Sequence, residues 1–343
     1  MKTQLTADIL YNRHRLSYPQ IDSLLGTNNK ELYQKDIIKN FKVIREFIKV
    51  TDEFRKMDIR FIPLKGPLLS QRIYNDATVR RFHDLDILID FNNISLIYNY
   101  LVKCGYCAEV ELSEDKKERL RLYSYARHIS FFHPHSEVCF EIHWKITSEL
   151  KSFNLDFDFN YEQFTINQVF MNREFRVFKN EYNLIYLLIH GSIHRWQRLK
   201  WLVDIKDYML NTSFDWLEIN KIAQKYDVTS ILPLYNSLAI IFFADPPLFD
   251  IKLKVPDLMT RYCEKVIESV DLALPARNIF EAIANSFKEI RYGLLLFPVY
   301  DYKIAFLKTK LICYTDSKKI KTTNPMLLIL YKPFGYLYRV GIR

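Results

Sequence analysis

The stretch RRFHDLDILID, Arg80 to Asp90, constrains the fold of this chain more than any other. Leu85, Ile87 and Ile89 alternate with polar positions, the period-2 pattern of a strand that sends successive side chains to opposite faces. The same period sets Asp84 and Asp86 on one face, with Asp90 in phase at the strand end. Aspartate is depleted in strands. Two carboxylates about 6–7 Å apart along one face repel unless a proton or cation lies between them. A fold that keeps this strand must bury its aliphatic face and supply positive charge to the other.

The neighbouring segments alternate in period. Residues 29–57 carry Ile37, Ile38, Phe41, Ile44, Phe47 and Ile48 at helical spacing, with Asn28 or Asn29 as cap. RFIPL (60–64) reads as a short strand, and KGPLLSQRIY as a helix with Pro67 in its first turn. After the acid strand, Asn92 or Asn93 caps ISLIYNYLVKCG, which Gly105 ends. YCAEVE is a strand, and Ser113 caps a polar helix. RHISFF and EVCFEIHWKI form a hairpin across HPHS. Past residue 150 the pattern turns helical: FRVF (175–178) is one last strand, Asn180 caps EYNLIYLLIHG, and RWQRLKWLVDIKDYML is a further amphipathic helix. The expected architecture is α+β: an N-terminal helical segment (1–55), a small mixed sheet with flanking helices (56–150), and a mainly helical domain with a basic tail (151–343).

Composition excludes several classes. With 343 residues, 49% hydrophobic and 26% charged, there is ample core for two domains. Only 7 glycines occur, and neither a Walker A nor a G-x-G-x-x-G loop is present. The longest uncharged run, 228–244, contains Pro, Asn, Ser and Thr, so it reads as a buried helix pair and not a membrane span. No signal-peptide core opens the chain. The five cysteines include one lone C-x-x-C (Cys104, Cys107), which lacks the second pair of a zinc site. Free thiols suit a reducing cytoplasm. The net charge is +9, and residues 301–343 hold nine Lys/Arg against two acids, a surface suited to nucleic acid, anionic lipid or a polyanionic substrate, or simply to water.

The acids acquire a partner in EVCFEIHWKI. There Val138, Phe140 and Ile142 face one way and Cys139, Glu141 and His143 the other, which puts a third carboxylate on a nearby strand. Three carboxylates on adjacent strands can hold two hard divalent ions, the arrangement for in-line phosphoryl or nucleotidyl transfer. Cations should lie close by to neutralise developing charge. Lys65 ends the preceding strand, Gly66 allows close backbone approach ahead of a helix N-terminus, and Arg80 and Arg81 precede the acids.

Together the pieces FIPLKGPLL, RRFHDLDILID, FEIHWKI and HGSIHRWQRLKWLVDI resemble a bacterial family of nucleotidyltransferases within the polymerase β-like superfamily. The matching positions are Lys65, Gly66, Tyr74, Arg80, Asp84, Asp86, Glu141, His143, Trp144, His190, Gly191, Arg195, Trp196, Trp201 and Asp204, with His128 as a further family position. They span about residues 55–210. The resemblance implies metal-dependent transfer of a nucleoside monophosphate from an NTP to an acceptor, which could be a small molecule, a sugar phosphate or a peptide. It implies two Mg²⁺ ions, with Mn²⁺ able to substitute, on Asp84, Asp86 and Glu141. Phosphate contact falls to Lys65, Gly66, Arg80, Arg81 and Arg195, and support of the acids to His128 and His143. Glu141 is either ligand or general base. One departure stands out: Gly66-Pro67 replaces the superfamily's Gly-Ser turn, so no serine hydroxyl meets the phosphates. His190 and His194 are spaced as a helical metal pair but lack the intervening Glu, and His190 reads as a core residue. Arg198 and Lys200 read as a charged helix face, and Trp196 and Trp201 as core. Two other readings share the pocket: a nucleotide-binding module without transfer, and an RNA-modifying enzyme that uses the basic tail.

Overall fold

A computed structural model of the chain describes residues 5–154, 161–244, 249, 255–269 and 279–311. The basic stretch past residue 311 and Cys313 lie outside them. In chain order the elements are α1 (Tyr18–Leu25), α2 (Lys30–Lys56), β1 (Phe61–Pro63), α3 (Gly66–Tyr74), β2 (Asp84–Ile89), α4 (Ile94–Lys103), β3 (Cys107–Ala108), α5 (Lys116–Tyr125), β4 (His128–His133), β5 (Val138–His143), β6 (Thr165–Phe170), β7 (Arg173–Phe178), α6 (Asn180–Ile193), α7 (Leu199–Asn211), α8 (Trp216–Lys225), α9 (Ile231–Phe243), α10 (Asp257–Glu268), α11 (Ile279–Leu296) and α12 (Tyr300–Leu311). Among the described residues no helix is long and apolar enough to cross a membrane. Cys104, Cys107, Cys139 and Cys263 are free thiols.

Five strands form a mixed sheet in the order β1-β2-β5-β4-β3. β2 is antiparallel to β1 and parallel to β5, and the β4–β5 hairpin is antiparallel. The alternation read from the sequence is realised: Leu85, Ile87, Ile89, Ile129, Phe131, Val138, Phe140 and Ile142 all enter one buried cluster with α2 and α4. Burying each such side chain is worth about 1.5–3 kcal/mol, so the apolar face holds the acid strand in place. A one-residue slip would turn that face to water. Asp90 lies beyond the strand; its carboxylate accepts the Asn92 amide at 2.8 Å and caps the turn before α4.

Several boundaries differ from expectation. In α2 the expected apolar positions Ile38 and Phe41 are 59% and 52% exposed, and the buried face begins at Val43. The first half of the helix instead buries Asp36 and Asn40, which hold polar groups around Arg80 and Arg81. β6 pairs fully with β7 across Met171 and Asn172, both at positive φ, the I′ hairpin geometry. No glycine marks that turn, so the period alone showed only its second strand. The run 228–244 yields one helix, α9, and not a pair. The helix expected over 195–210 starts only at Leu199, because Arg195 and Trp196 both take left-handed φ, 59° and 53°.

That reversal depends on Gly191. A Cβ there would lie 2.4 Å from the Trp196 ring, which packs fully buried across α6. Gly191→Ala is therefore expected to destabilise the fold by about 1–3 kcal/mol through overpacking, read as a lower urea midpoint. An unchanged midpoint would show that the ring relocates freely.

The two buried clusters cut across the expected division at residues 55 and 150. Leu10, Leu16 and Ile21 from the N-terminal segment share a core with Ile62, Leu88 and helices α6 to α12. A capping box at Ser17 and Gln20 starts α1 and turns the Gln20 amide toward Tyr74 and Asp204.

Candidate active site

The polar face of the sheet opens into a cavity of about 180 Å³. Asp84, Asp86 and Glu141 line it from the sheet, and α6, the turn after it and the start of α7 cover it with His190, His194, Arg198, Lys200 and Trp201. Parallel pairing sets Asp86 directly beside Glu141 in register, which is why two acids far apart in sequence share one face.

Asp86 is the most constrained of the three. Its Oδ1 lies 3.3 Å from His143 Nε2 and its Oδ2 3.4 Å from Lys65 Nζ. Burial works against its charge, but Lys65 and then His143 outweigh that and hold the carboxyl well below the usual range. His143 Nε2 also reaches Glu141 Oε2 at 3.2 Å. Burial opposes charge on that ring, yet hydrogen bonds to Asp86 and Glu141 raise its pKa. Lys65 is anchored from behind by the His190 ring nitrogens at 3.0 and 3.3 Å. Burial and then Lys65 lower the His190 pKa well below normal, so the ring stays neutral and accepts the Lys65 proton donor. His190, read as a core residue from sequence, thus orients the cavity lysine. Gly66 starts α3 at φ +68°, and a Cβ there would stand 3.2 Å from Leu85, so the turn after β1 suits glycine twice over.

The cations predicted for phosphate have divergent fates. Lys65 lines the cavity. Arg80 borders it, but its guanidinium is spent on Asp204: Nε donates to Oδ2 at 2.9 Å with both residues buried. Arg81 turns away, donating to the carbonyls of Tyr11 and Leu16 and stacking 3.6 Å over the Tyr11 ring. Arg195 pairs with Glu289 at 2.6 Å. In each case a carboxylate or carbonyl distant in sequence takes the charge, which local spacing cannot reveal. The motif residues Tyr74 and Asp204 belong to the same buried network, with Tyr74 donating to Asp207 at 2.5 Å.

Other cations take their place. Arg15, from the N-terminal segment, and Arg127, just before β4, face the cavity with Arg198 and Lys200. Arg15 sits at φ 59°, in the turn before α1. Arg198 Nε is buried without a hydrogen-bond partner among the described residues, and burial, then the Arg15 charge, lowers its pKa to about 10. Six cations and three carboxylates line the cavity. Even with Arg80 assigned to Asp204 and with Lys200 buried and donating to the Arg81 carbonyl, the excess is positive, and an anion would relieve it. The signals that reveal this are tertiary, although Arg198 falls inside the quoted motif stretch.

His128 stands opposite His143 in the β4–β5 register. Its Nε2 is 3.9 Å from Glu141 Oε2, and its ring centre 4.7 Å from that of His143. Burial, then His143, lowers its pKa to about 4, so it is a neutral imidazole.

Asp84, Asp86 and Glu141 thus lie on one face of a mixed sheet beneath a helical cover. Residues 22–244 match the family described as uncharacterised nucleotidyltransferase, and the chain belongs to that family. The match extends well beyond the 55–210 stretch that carries the motifs. Among solved structures, the lincomycin-bound lincosamide antibiotic adenylyltransferase LnuA aligns at 16% identity with a TM-score of 0.34, covering 49% of this chain and 97% of that one. No curated protein matches.

Proposed function

We propose that the chain transfers a nucleoside monophosphate from an NTP to an acceptor in this cavity. The observation that carries the reading is the registered set Asp84, Asp86 and Glu141 facing an excess of cations across one pocket. The donor set fits divalent ions, since Asp86 is held ionised and carboxylate oxygens suit Mg²⁺ or Mn²⁺. Asp84 and Asp86 would hold the ions and Glu141 would complete the site. Bound there, they supply charge neutralisation for the attacking and leaving oxygens.

The chain's own residues do the rest. Arg15, Arg198 and Lys65 form the triphosphate side, with Arg127 at the rim. Lys65, fixed by His190, is aimed at one oxygen position and cannot sweep the pocket. The α3 N-terminus, behind Gly66, adds backbone donors in place of the missing serine hydroxyl. Closure by α6 and α7 limits water as a competing acceptor. The small cavity favours a small-molecule or sugar-phosphate acceptor over a nucleic acid.

An NTP with Mg²⁺ is expected to raise the melting temperature, because a ligand of the folded state stabilises it. Arg198→Gln should weaken that nucleotide about 10- to 100-fold, the loss of a charge-assisted hydrogen bond worth about 1.5–3 kcal/mol. If no nucleotide shifts the wild type, or the shift survives Asp84→Asn with Asp86→Asn, the reading is wrong.

A further inference from the structure

The acids do not stand alone, and their imidazole neighbours alter which ion the site prefers. His128, Glu141 and His143 each offer one ligand atom, all within 4.8 Å of one another. Glu141 Oε2 is 3.2 Å from His143 Nε2 and 3.9 Å from His128 Nε2. Asp86 Oδ1 is 3.3 Å from the same His143 nitrogen. Donors around one ion at about 2.0–2.2 Å are separated by roughly 3–4 Å, so the His128, Glu141 and His143 atoms stand close to a metal's shell, with Asp86 Oδ1 beside the His143 nitrogen. Two neutral-capable nitrogens with two carboxylate oxygens is a donor set for a borderline ion and not for Mg²⁺, which takes oxygen ligands.

We infer that His128, His143, Glu141 and Asp86 form a nitrogen–oxygen site for a borderline divalent ion of the Co²⁺ or Zn²⁺ class. This deepens the proposed function by assigning one of its two ion positions, yet it stands on the side-chain cluster and not on transfer itself. The scaffold is rigid: β4 and β5 pair His128 with His143 across the hairpin, so the nitrogens are presented by strands and not by a loop. The apo cluster is held by a single His143 Nε2 shared between two carboxylates, a weak arrangement for two anions that an ion would improve. Affinity has a ceiling as well. The Nδ1 atoms of both rings are buried without partners among the described residues, and absent outer hydrogen bonds cost about 10–100-fold in metal affinity. Micromolar binding follows, not the tight retention of a structural zinc.

The test uses the full-length, tag-free, metal-stripped protein without nucleotide. Co²⁺ is titrated by visible absorption. The expected result is one Co²⁺ per chain at micromolar concentration with nitrogen-ligated d–d bands, and Mg²⁺ at least tenfold weaker in competition. His128→Gln, at a partly exposed strand position, should weaken Co²⁺ at least tenfold with an unchanged metal-free melting curve. Glu141→Gln should do the same. Co²⁺ binding that ignores His128→Gln, or Mg²⁺ competing on equal terms, overturns the inference. The nucleotide shift of the wild type is measured separately, so a failed nucleotide test leaves the ion result standing, and the reverse holds.

Discussion

Asp86→Asn is expected to lower nucleotidyl transfer by roughly 10³-fold or more, since on the proposed reading it removes a charge that would hold divalent ions, whose charge neutralisation is worth several kcal/mol in the transition state. Pyrophosphate release is the measurement, with water as the default acceptor. The substitution keeps the shape of the side chain but leaves Lys65 and His143 facing a neutral amide. Asp90→Asn, four residues on, is the control. Asp90 only caps the turn before α4, and Asn caps as well as Asp, so activity and stability should both hold. An active Asp86→Asn protein would remove the acid strand from the chemistry.

The second large effect is on stability. Asp204 is 2% exposed and Arg80 3%. Asp204 Oδ2 accepts from Arg80 Nε at 2.9 Å and Oδ1 from Gln20 Nε2 at 3.2 Å. Asp204→Asn leaves a buried guanidinium without its anion, a change that costs about 3–5 kcal/mol. That is a large share of the 5–15 kcal/mol that typically separates native from unfolded chains, and it should appear as a marked fall in urea midpoint. Arg80→Met combined with Asp204→Asn should recover part of the loss, since the two residues couple directly. Additive single losses would show that the pair does not act as a unit. The network spans α1, the loop before β2 and α7, so it fixes the helical cover over the cavity as well as the fold.

The legible part of the site lay in its strands. Period alone put Asp84 and Asp86 on one face of their strand and Glu141 and His143 on one face of theirs, and the parallel β2–β5 pairing joins the two faces. Lys65 was legible as the cation that follows the first strand, and it stands at the N-cap of α3. The arginines were not. Arg80, Arg81 and Arg195 looked alike as cations near a motif, yet they end on Asp204, on Tyr11 and Asp36, and on Glu289. Arg15 gave no sign at all, because its segment is brought to the cavity by packing of Leu10 and Leu16 into the helical core.

By itself the sequence determined which way each strand residue points, because alternation is a local consequence of backbone geometry and the hydrophobic face admits only one register. The tertiary structure alone decided which cations meet the acids. A charge goes to the nearest partner in space, and Arg80 finds Asp204 124 positions away in the chain, where no local period reaches.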